Sequence, residues 1–433
     1  MDSIWIENAA RPAFPAMPGS LKTDVLIIGG GMSGLLCAHM LKKAGVDCIL
    51  VEAKKICDGT TCDTTAKITL QHGLIYDKLI RQFGQEKAQM YLQAQQKAGR
   101  EFARLCQNIA CDYEKQDSFV YSVSDRAKIE NEITALNRLG CKAELSNAEC
   151  LPFSVIGAVR IKNQAQFHPL KFAFQIAKDL PIYENTKVIE MMPGKVLTQR
   201  GQISCKKIIV ATHFPILNKH GSYFLKLYQH RSYVLALKGA QKVDGMYVDE
   251  DKKGLSFRNY GDLLLLGGGS HRTGKLGGNW RELQEFTRAH YPSAWITEKW
   301  ATQDCMTLDS VPYIGQYSKN TPDLYVATGF NKWGMTSSMV SAMILSDLVQ
   351  EKQNDFASVF SPSRNILRPQ LAVNAFESVV GLLTPTTPRC PHLGCALKYN
   401  PAEHSWDCPC HGSRFTESGE VINNPATDDK KKM

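Results

Sequence analysis

A run of apolar residues, a glycine-rich turn and a second apolar run stand close together near the start of the chain. From Asp24 the sequence reads DVLIIGGGMSGLLCAHMLKKAGVDCILVEA, in which an apolar-striped stretch of helical length separates the two runs and Gly45 ends that stretch. The two short runs predict strands, and the striped stretch between them predicts a helix. The segment is therefore predicted to form one βαβ unit that ends near Glu52.

Helical spacing of hydrophobic residues recurs in later segments. The pattern predicts one helix over 84–106 and another over 126–139, where Gly140 follows as a stop signal. Pro169 suits the first position of a third helix, because its missing N–H would be unpaired there anyway. His168, directly before that proline, is predicted to have a structural role, with a catalytic role as the alternative.

From Tyr228 onward the pattern changes to that of strands. The runs RSYVLAL, GMYVD, LSFRNY and DLLLLGGG follow one another at short intervals, which predicts a meander or a set of hairpins. Together with the βαβ unit, these runs predict an α/β (α+β) fold class. We expect a Rossmann-type domain interleaved with a domain built on a mixed sheet.

The length and composition are those of a globular chain with more than one domain. A chain of 433 residues with 43% hydrophobic residues suggests two or three domains. The most apolar run, 25–41, is interrupted by glycines and His39, and a membrane span needs roughly 20 apolar residues. No membrane span and no secretory signal are predicted, so we expect a cytoplasmic protein.

The net charge does not identify one class of partner. The net charge of +9 is spread along the sequence, so a solvated surface explains it as well as an acidic partner or an anionic substrate would, and no nucleic-acid module is recognisable.

Most of the cysteines lack the spacing of a disulfide framework and are predicted to be buried reduced thiols. These are Cys37, Cys48, Cys57, Cys62, Cys106, Cys111, Cys141, Cys150, Cys205 and Cys305.

The glycine turn carries the first chemical signal. Gly29, Gly31 and Gly34 stand in G-x-G-x-x-G register, which allows a tight turn, close approach of a pyrophosphate to the backbone, and close packing of the helix on the strand. Amide groups at the N-terminus of the helix would then face the phosphates. Glu52 follows where an acid accepts the hydroxyls of a ribose. The alternative is a tight turn without a ligand.

The second chemical signal lies near the C-terminus. The sequence reads CPHLGC at 390–395 and CPCHGS at 408–413. A Rieske [2Fe–2S] centre needs two thiolates on one iron and two imidazoles on the other, and Cys390, Cys408, His392 and His411 supply that set. The alternative is a structural zinc site with the same four residues, although zinc fingers usually contain a C-x₂₋₄-C pair, whereas these loops read C-x-H and C-x-x-H.

Several further blocks resemble one flavoprotein family. They are IWIENAARPAFP around Trp5, DGTTCDTTAK at 58–67, IIVAT at 208–212, DSVPYIGQY at 309–317 and LYVATGFNKWGMTSSMVSAMILSDLV at 324–349. With the glycine turn, these blocks resemble the D-amino-acid-oxidase superfamily, which includes glycine, sarcosine and γ-glutamylputrescine oxidases, over residues 1–350. With the Rieske loops, the chain resembles a bacterial group of amine-oxidase-like FAD proteins that carry a C-terminal Rieske module. The resemblance implies FAD, rather than NAD, as the dinucleotide.

The resemblance also implies where the flavin is held. A strand that ends at Thr328 and a helix that starts near Thr336 would aim helix amides at the isoalloxazine, where they stabilise negative charge on the reduced ring. The implied contacts are Gly29, Gly31, Ser33, Gly34, Glu52, Ala53, Thr60, Thr61, Thr65, Ala66, Lys67, Val188, Ala211, Thr212, Gly329, Gly334, Met335 and Thr336. Asp63 stands where relatives with a covalently attached flavin have a histidine, so a non-covalent flavin is expected.

Three residues are implied as catalytic candidates. Lys67 stands where several relatives hold a cation over the flavin ring, with a solvated loop lysine as the alternative. Lys332 stands where glycine-oxidase-like members bind the substrate carboxylate, although a lysine offers weaker geometry than a bidentate arginine. Arg258, on a strand of the predicted sheet, would line the pocket, with packing as the alternative. No general base is evident, and amine oxidation in this superfamily proceeds by hydride transfer from a neutral amine.

The resemblance of the C-terminal loops to high-potential Rieske proteins has further implications. Cys395 and Cys410 would form a disulfide that clamps one loop onto the other. Phe415 replaces a tyrosine that donates to a ligand sulfur, while Ser413 is retained, which implies a lower reduction potential than that of the respiratory members. Pro425 would belong to a third, covering loop. Since the module lacks most of the strands that precede the first loop in a full Rieske domain, it is expected to pack on the flavoprotein body or on a partner.

These observations predict an organisation and a function. The ranges are 22–75, 150–215 and 300–350 for a discontinuous FAD-binding domain, 76–149 and 216–299 for a substrate domain, 351–389 for a linker or docking segment, and 390–433 for a minimal all-β Rieske module. The leading hypothesis is an FAD-dependent amine or amino-acid dehydrogenase that passes electrons through the cluster to a one-electron acceptor. The alternatives are an electron-transfer protein without a small amine substrate and an oxidase with a structural zinc site. An oligomer is compatible with the sequence.

Overall fold

Three sheets and the helices around them make up the protein. The computed structural model describes residues 2–217, 220–251, 254–277, 279–385 and 388–429. The helices are α1 (Ile4–Glu7), α2 (Met32–Lys43), α3 (Tyr76–Phe83), α4 (Gln85–Cys106), α5 (Arg126–Arg138), α6 (Pro169–Ala177), α7 (Tyr223–Lys226), α8 (Asn279–His290), α9 (Gly334–Val349), α10 (Ala357–Phe360) and α11 (Pro369–Leu383). None of these described helices combines the length and the apolar character that crossing a membrane requires.

The strands follow the same chain order. They are β1 (Leu21–Ile28), β2 (Cys48–Val51), β3 (Lys67–Ile68), β4 (Glu114–Ser122), β5 (Glu144–Ser146), β6 (Gly157–Gln166), β7 (Ile182–Tyr183), β8 (Val188–Met192), β9 (Lys195–Thr198), β10 (Gly201–Val210), β11 (Leu227–Lys238), β12 (Met246–Asp249), β13 (Ser256–Tyr260), β14 (Leu263–Arg272), β15 (Trp295–Thr307), β16 (Tyr313–Gln316), β17 (Leu324–Thr328), β18 (Lys398–Asn400), β19 (Ser405–Asp407), β20 (Arg414–Thr416) and β21 (Val421–Asn423).

The first sheet has a parallel centre and contains the βαβ unit. Its strand order is β16-β17-β10-β1-β2-β7, and β9 and β8 extend it from β10. β1 pairs in parallel with β10 on one side and with β2 on the other, so that Leu26 lies opposite both Ile208 and Ile49. α2 connects β1 to β2 and packs against α9. The predicted βαβ unit is thereby confirmed.

The second sheet is mixed and contains the predicted strands of the C-terminal half. Its order is β15-β11-β14-β13-β12-β4-β6-β3, with β5 paired to β6. β12 and β4 are parallel, whereas β12, β13 and β14 form an antiparallel meander and β11 pairs with β14. The four runs predicted as strands fall in β11, β12, β13 and β14, so this prediction is confirmed.

Two strands pair differently from the predicted domain ranges. β6 pairs with β4 and β3 in the second sheet, although it falls within the range 150–215 predicted for the FAD-binding domain. β15 belongs to the second sheet as far as Thr307, past the predicted boundary at 300. The antiparallel ladders of β6 with β4 and of β15 with β11 join strands that are far apart in sequence, so the pairing leaves no local signal.

The predicted helices are present at the expected places. α4 covers Gln85–Cys106, and α5 covers Arg126–Arg138 and ends shortly before Gly140, whose φ is +75°. α6 begins with Pro169, and Nδ1 of His168 accepts a hydrogen bond from the backbone N–H of Lys171 at 3.2 Å. His168 is therefore an N-cap residue, which confirms its structural role.

The C-terminal module is a four-stranded antiparallel sheet in the order β18-β19-β20-β21. Its small core includes Cys390, Leu397 and Phe415. The module packs against the second sheet, where Arg231 of β11 forms a buried ion pair with Glu403. The module therefore packs on the rest of the chain, which is one of the two arrangements expected for so small a module.

Candidate cofactor sites

A cavity of about 850 Å³ is lined by residues of the first sheet, the second sheet and the C-terminal module. Ligand pockets commonly enclose roughly 300–1,000 Å³. The predicted cofactor contacts that line it are Gly29, Gly31, Ser33, Glu52, Ala53, Thr60, Thr61, Thr65, Lys67, Val188, Ala211, Thr212, Gly334 and Met335. Gly34, Ala66, Gly329 and Thr336 are not among the lining residues, and each is adjacent in sequence to a residue that is.

The glycine turn is packed too tightly for a side chain at two of its positions. Gly29 has a φ of +111°, and a Cβ there would lie 2.5 Å from the carbonyl oxygen of Ala211. A Cβ on Gly34 would lie 1.9 Å from the carbonyl oxygen of Gly29. Gly31, directly before α2, lines the cavity, so the start of the helix faces a space where a phosphate group would be stabilised.

Glu52 holds the glycine turn from the end of β2. One of its carboxylate oxygens accepts a hydrogen bond from the N–H of Gly30 at 2.7 Å, and the other accepts one from the N–H of Lys54 at 2.9 Å. Burial raises the pKa of Glu52, and these backbone hydrogen bonds oppose that shift. A carboxylate at this edge of the cavity fits the acceptor that the hydroxyls of a ribose require.

The loop at 59–67 reaches the cavity through three threonines and a lysine. These are Thr60, Thr61, Thr65 and Lys67. Nζ of Lys67 donates to Oγ1 of Thr65 at 3.1 Å. Burial, and secondarily the charge of Arg258, lowers the pKa of Lys67 to about 7. Lys67 is thus partly buried and lines the cavity, and its predicted place over the flavin ring stays a prediction.

Arg258 does not line the cavity. Its Nη1 donates to the carbonyl oxygens of Thr65 at 2.6 Å and Ala66 at 3.0 Å, and its guanidinium lies 5.5 Å from the centre of the Trp5 ring. These contacts stabilise the loop that carries Lys67. Nε and Nη1 of Arg258 are thus bound to backbone carbonyls, and its contact with substrate stays a prediction.

The second predicted flavin loop joins β17 to α9. Gly329 has a φ of +71°, and a Cβ there would lie 2.2 Å from Cγ2 of Thr307, so only glycine fits. Lys332, Gly334 and Met335 line the cavity. The N-terminus of α9 therefore faces the cavity, as the resemblance implied.

His72 also lines the cavity, although no sequence pattern pointed to it. Its ring stacks on that of Trp333, with centroids 5.0 Å apart and planes 13° apart. Its nitrogens hydrogen-bond to Oη of Tyr91 at 2.7 Å and to Oγ1 of Thr336 at 3.0 Å. Burial lowers the pKa of His72 to about 3. The ring is therefore neutral and fixed beside the start of α9.

The four predicted cluster ligands converge in the loops at 390–395 and 408–413. The thiols of Cys390 and Cys408 are buried and contact each other. The rings of His392 and His411 meet edge to face, with centroids 5.0 Å apart, and burial is the main cause that lowers the pKa of both. Among the described residues, neither ring nitrogen of His411 has a hydrogen-bond partner of good geometry. Two thiols and two neutral imidazoles fit a Rieske [2Fe–2S] cluster.

The segment at 421–429 closes over the cluster loops. Oγ of Ser413 contacts the thiol of Cys390 and accepts a hydrogen bond from the N–H of Ala426 at 3.0 Å. Pro425 is thus part of a covering segment, as predicted. Phe415 is fully buried in the core of the module and offers no hydroxyl to a ligand sulfur, which leaves Ser413 as the retained donor.

Cys395 and Cys410 lie beside the ligand cysteines. Both are free thiols in the structure, and their sulfurs lie within 4.8 Å of each other and of the Cys408 sulfur. α11 covers them, because a Cβ on Gly381 would lie 2.5 Å from Sγ of Cys410. The disulfide between them is not formed here and stays a prediction.

Two glutamines connect the cluster loop to the flavin loop. Nε2 of Gln229 donates to the carbonyl oxygen of His411 at 2.9 Å. Nε2 of Gln303 donates to the carbonyl oxygen of Gly412 at 2.8 Å and to Oε1 of Gln229 at 2.7 Å. The carbonyl oxygen of Gln303 accepts a hydrogen bond from Oγ1 of Thr60 at 3.2 Å. Hydrogen bonds thus join a cluster ligand to a residue that lines the flavin cavity.

A second connection runs through the covering segment. Nδ2 of Asn424 donates to the carbonyl oxygen of Phe214 at 2.8 Å and also to that of Thr212, and residues 421–424, 426, 427 and 429 line the same cavity as the glycine turn. His213 lies between these carbonyls and faces Gln229, and burial lowers its pKa to about 4. No sequence pattern pointed to His213 or to these contacts of Asn424, because both residues lie in loops and their roles depend on how the module docks.

Two family models match the chain. The model described as FAD dependent oxidoreductase (DAO) matches residues 24–348, and the model described as Rieske [2Fe-2S] domain matches residues 364–433.

Relatives and solved structures agree with these matches. The Rieske 2Fe-2S iron-sulfur protein YhfW of Bacillus subtilis is 35% identical over 98% of this chain and 96% of its own length. The gamma-glutamylputrescine oxidoreductase of Escherichia coli is 24% identical over 86% of this chain and 96% of its own length. The crystal structure of glycine oxidase from Geobacillus kaustophilus superposes with a TM-score of 0.67 at 18% identity and covers 80% of this chain and 100% of its own. The structural likeness shows a common fold.

Proposed function

Since the chain belongs to the DAO family of FAD-dependent oxidoreductases and carries a Rieske [2Fe–2S] domain, we propose that it oxidises an amine or amino acid and delivers the electrons singly, through the cluster, to an acceptor protein. FAD, when bound, supplies the hydride acceptor. The Rieske match replaces the structural zinc alternative. The proposal goes beyond the family assignment in two respects, which are the class of substrate and the route by which electrons leave the flavin.

The contact between the cluster loop and the flavin cavity carries the proposal. Gln303 donates to the carbonyl oxygen of Gly412 beside His411 and accepts from Thr60 on the flavin loop. Asn424 of the module is bonded to the carbonyl oxygen of Thr212 at the cavity edge. A module that served a separate partner would have no need of its histidine loop against the flavin cavity. This arrangement favours the cluster as the outlet for electrons from the flavin.

Removing one cluster ligand tests whether electrons leave by this route. In Cys408→Ser, we expect anaerobic reduction of FAD by an active amine to be unchanged, because Cys408 is not among the residues that line the flavin cavity. Reoxidation by cytochrome c, as a one-electron acceptor, should slow by at least about tenfold, since export then lacks the cluster. Stopped-flow absorbance of the flavin measures both steps.

The matched control is Cys205→Ser, which alters a buried free thiol in β10, away from the cluster. It should leave both steps unchanged. Unchanged reoxidation in a Cys408→Ser protein shown to lack iron and sulfide would mean that electrons leave the flavin directly. Failure of a broad panel of amines and amino acids to reduce the flavin would instead favour a protein that shuttles electrons between protein partners.

We also propose a cytoplasmic location and a Cys395–Cys410 disulfide. The ten cysteines outside the cluster loops are free thiols, as expected of a protein kept in a reducing compartment. Cys395 and Cys410 are both buried, which would protect a disulfide between them from cytosolic reductants. Mass spectrometry of the alkylated, unreduced protein tests the bond.

A further inference from the structure

The cavity side of the second sheet carries polar groups that neither cofactor loop employs. β11 and β15 are neighbours, with Ser232 opposite Thr302 and His230 opposite Asp304, and all four residues line the cavity. Successive side chains of a strand point to opposite faces. Gln303, between Thr302 and Asp304, accordingly contacts the module. One face of these strands therefore holds the cluster loop, and the other faces the cavity.

Asp304 is an acid without a partner in the part of the chain that the structure describes. Its carboxylate makes no hydrogen bond or ion pair with the described residues. Burial raises the pKa of Asp304, and the charges of Lys332 and Arg231 act against that shift. The hydroxyls of Ser232 and Thr302 are likewise buried without a described hydrogen-bond partner. Desolvated polar groups of this kind are costly unless a ligand supplies their partners.

Lys332 supplies the opposite charge in the same cavity. Its Nζ donates to Oγ of Ser270 at 2.5 Å, and an ammonium group has two further N–H donors to offer. Lys332 and Asp304 attract each other but do not form a salt bridge within 4.0 Å. A molecule with a carboxylate and an ammonium group would complement both residues at once.

We infer that Asp304 is the proton acceptor of the reaction and binds, together with Lys332, an amino acid that enters as its zwitterion. This inference rests on the proposed function and names its substrate class. The substrate carboxylate lies on Lys332, and its ammonium group lies on Asp304. One N–H bond of the ammonium breaks, the proton moves to a carboxylate oxygen of Asp304, and the electron pair stays on nitrogen. The amine is then neutral, which is the form from which a hydride can leave.

Several charged groups surround Asp304 and set the pH at which it acts. Lys332 approaches from the loop before α9, and Arg231 and His230 are on the adjacent strand β11. Arg231 is already paired with Glu403 of the module. Lys67 lines the same cavity. The positive charges of Lys332 and Arg231 oppose the rise in the pKa of Asp304 that burial causes, and they favour the carboxylate form that accepts the proton.

The pH dependence of flavin reduction tests the role of Asp304. Wild type, Asp304→Asn and Asp304→Glu are mixed anaerobically with glycine, sarcosine or L-proline between pH 6 and pH 10. In Asp304→Asn, reduction should be about 100-fold slower near pH 7, and the deficit should shrink towards pH 10, where the free amine is populated in solution. Asp304→Glu should recover part of the rate. Asp24→Asn, which removes an exposed acid paired with Lys206, serves as the matched control and should behave as wild type.

Binding without turnover provides a second, independent readout. Glycine and acetate share a carboxylate, but only glycine has the ammonium group, and the perturbed absorbance of bound FAD reports both affinities at pH 7. Wild type should bind glycine at least fivefold more tightly than acetate, and this preference should vanish in Asp304→Asn. Lys332→Met should weaken both ligands alike.

Three results would contradict the inference or the proposed function. Parallel pH profiles for wild type and Asp304→Asn would overturn the role of Asp304 as proton acceptor. Equal affinities of wild type for glycine and acetate would overturn the ammonium site, and this arm does not depend on the folding of a variant. A flavin that no amine or amino acid reduces would refute the proposed function, while the binding arm would still decide the inference.

Discussion

The glycine turn is packed so closely that a single added Cβ atom at Gly34 would disturb the surface that receives a dinucleotide. At Gly34 a Cβ would lie 1.9 Å from the carbonyl oxygen of Gly29, well inside any van der Waals contact. Glu52 ties the same turn to β2 through the N–H of Gly30. A methyl group at position 34 would therefore push α2 away from β1 and loosen the surface that receives the phosphates.

We expect Gly34→Ala to lower the affinity for FAD by at least about tenfold, since close packing of helix on strand is lost at the pyrophosphate site. The retained FAD per protein after gel filtration, and the dissociation constant of the apoprotein for FAD, measure this. Gly99→Ala in α4 is the control, because a Cβ there meets nothing within 4 Å and should leave FAD binding unchanged. Full FAD retention in Gly34→Ala would show that α2 can shift without cost.

At the scale of elements, the sequence predicted that β11 is a strand but did not predict what its two faces contact. The run was recognisable as a strand by its composition. Its first half, LYQHRSY, lacks the alternation that assigns one face to a core. The structure gives the reason, because Gln229 and Arg231 hold the module on one face while His230 and Ser232 line the cavity on the other. Because polar residues with contacts to make lie on both faces, this half of β11 lacks the alternation of hydrophobic and polar residues that marks a half-buried strand.

Predictability also differed between local and long-range features. The glycine turn, the cluster loops, the end of α5 and the start of α6 depend on residues within a few positions, and the sequence predicted them. The pairing of β6 with β4, and the lining of the flavin cavity by Asn424, depend on residues far apart in the chain. The sequence did not point to Asp304, because Lys332 and Ser232, which line the same cavity, come from other elements.

α11 supports the cluster from behind, and its one buried glycine is the point of contact. A Cβ on Gly381 would lie 2.5 Å from Sγ of Cys410 and 3.4 Å from Cβ of Cys395. The backbone of Gly381 also accepts a hydrogen bond from the N–H of Ala396 at 2.9 Å. The helix therefore holds both cluster loops at their non-ligand cysteines.

We expect Gly381→Ala to reduce the iron and acid-labile sulfide content to less than about half, since the added methyl group must displace a cluster loop and overpacking of this kind typically costs about 1–3 kcal/mol. Chemical analysis and the electron paramagnetic resonance signal of the reduced protein measure the cluster. Val379→Ala, at an exposed position of the same helix, should retain it. A full complement of iron and sulfide in Gly381→Ala would mean that α11 yields instead of the loops.

At the scale of the whole molecule, one acidic side chain joins the module to the body. Glu403 accepts hydrogen bonds from Nε of Arg231 at 3.0 Å and from Nη2 of Arg414 at 2.8 Å, and it also binds Oη of Tyr233. Burial would raise the pKa of Glu403, but Arg231 and Arg414 together lower it to about 2. Its contribution to stability is therefore complete above its ordinary value near 4.5 and is lost only as the pH falls through about 2.

Neutralising this residue should separate docking from cofactor content. In Glu403→Gln, the buried Arg231 loses its ion pair with Glu403, while Arg414 keeps its ion pair with Asp407, and breaking a buried ion pair typically costs about 3–5 kcal/mol. Because all four predicted cluster ligands belong to the module itself, we expect it to keep its cluster while it spends more time undocked. Flash reduction of the flavin, followed by cluster absorbance, should then show transfer at least about tenfold slower than in wild type. Glu417→Gln, at an exposed position of the module, should transfer normally. Equal rates in Glu403→Gln and wild type would mean that electron transfer does not require the docked arrangement.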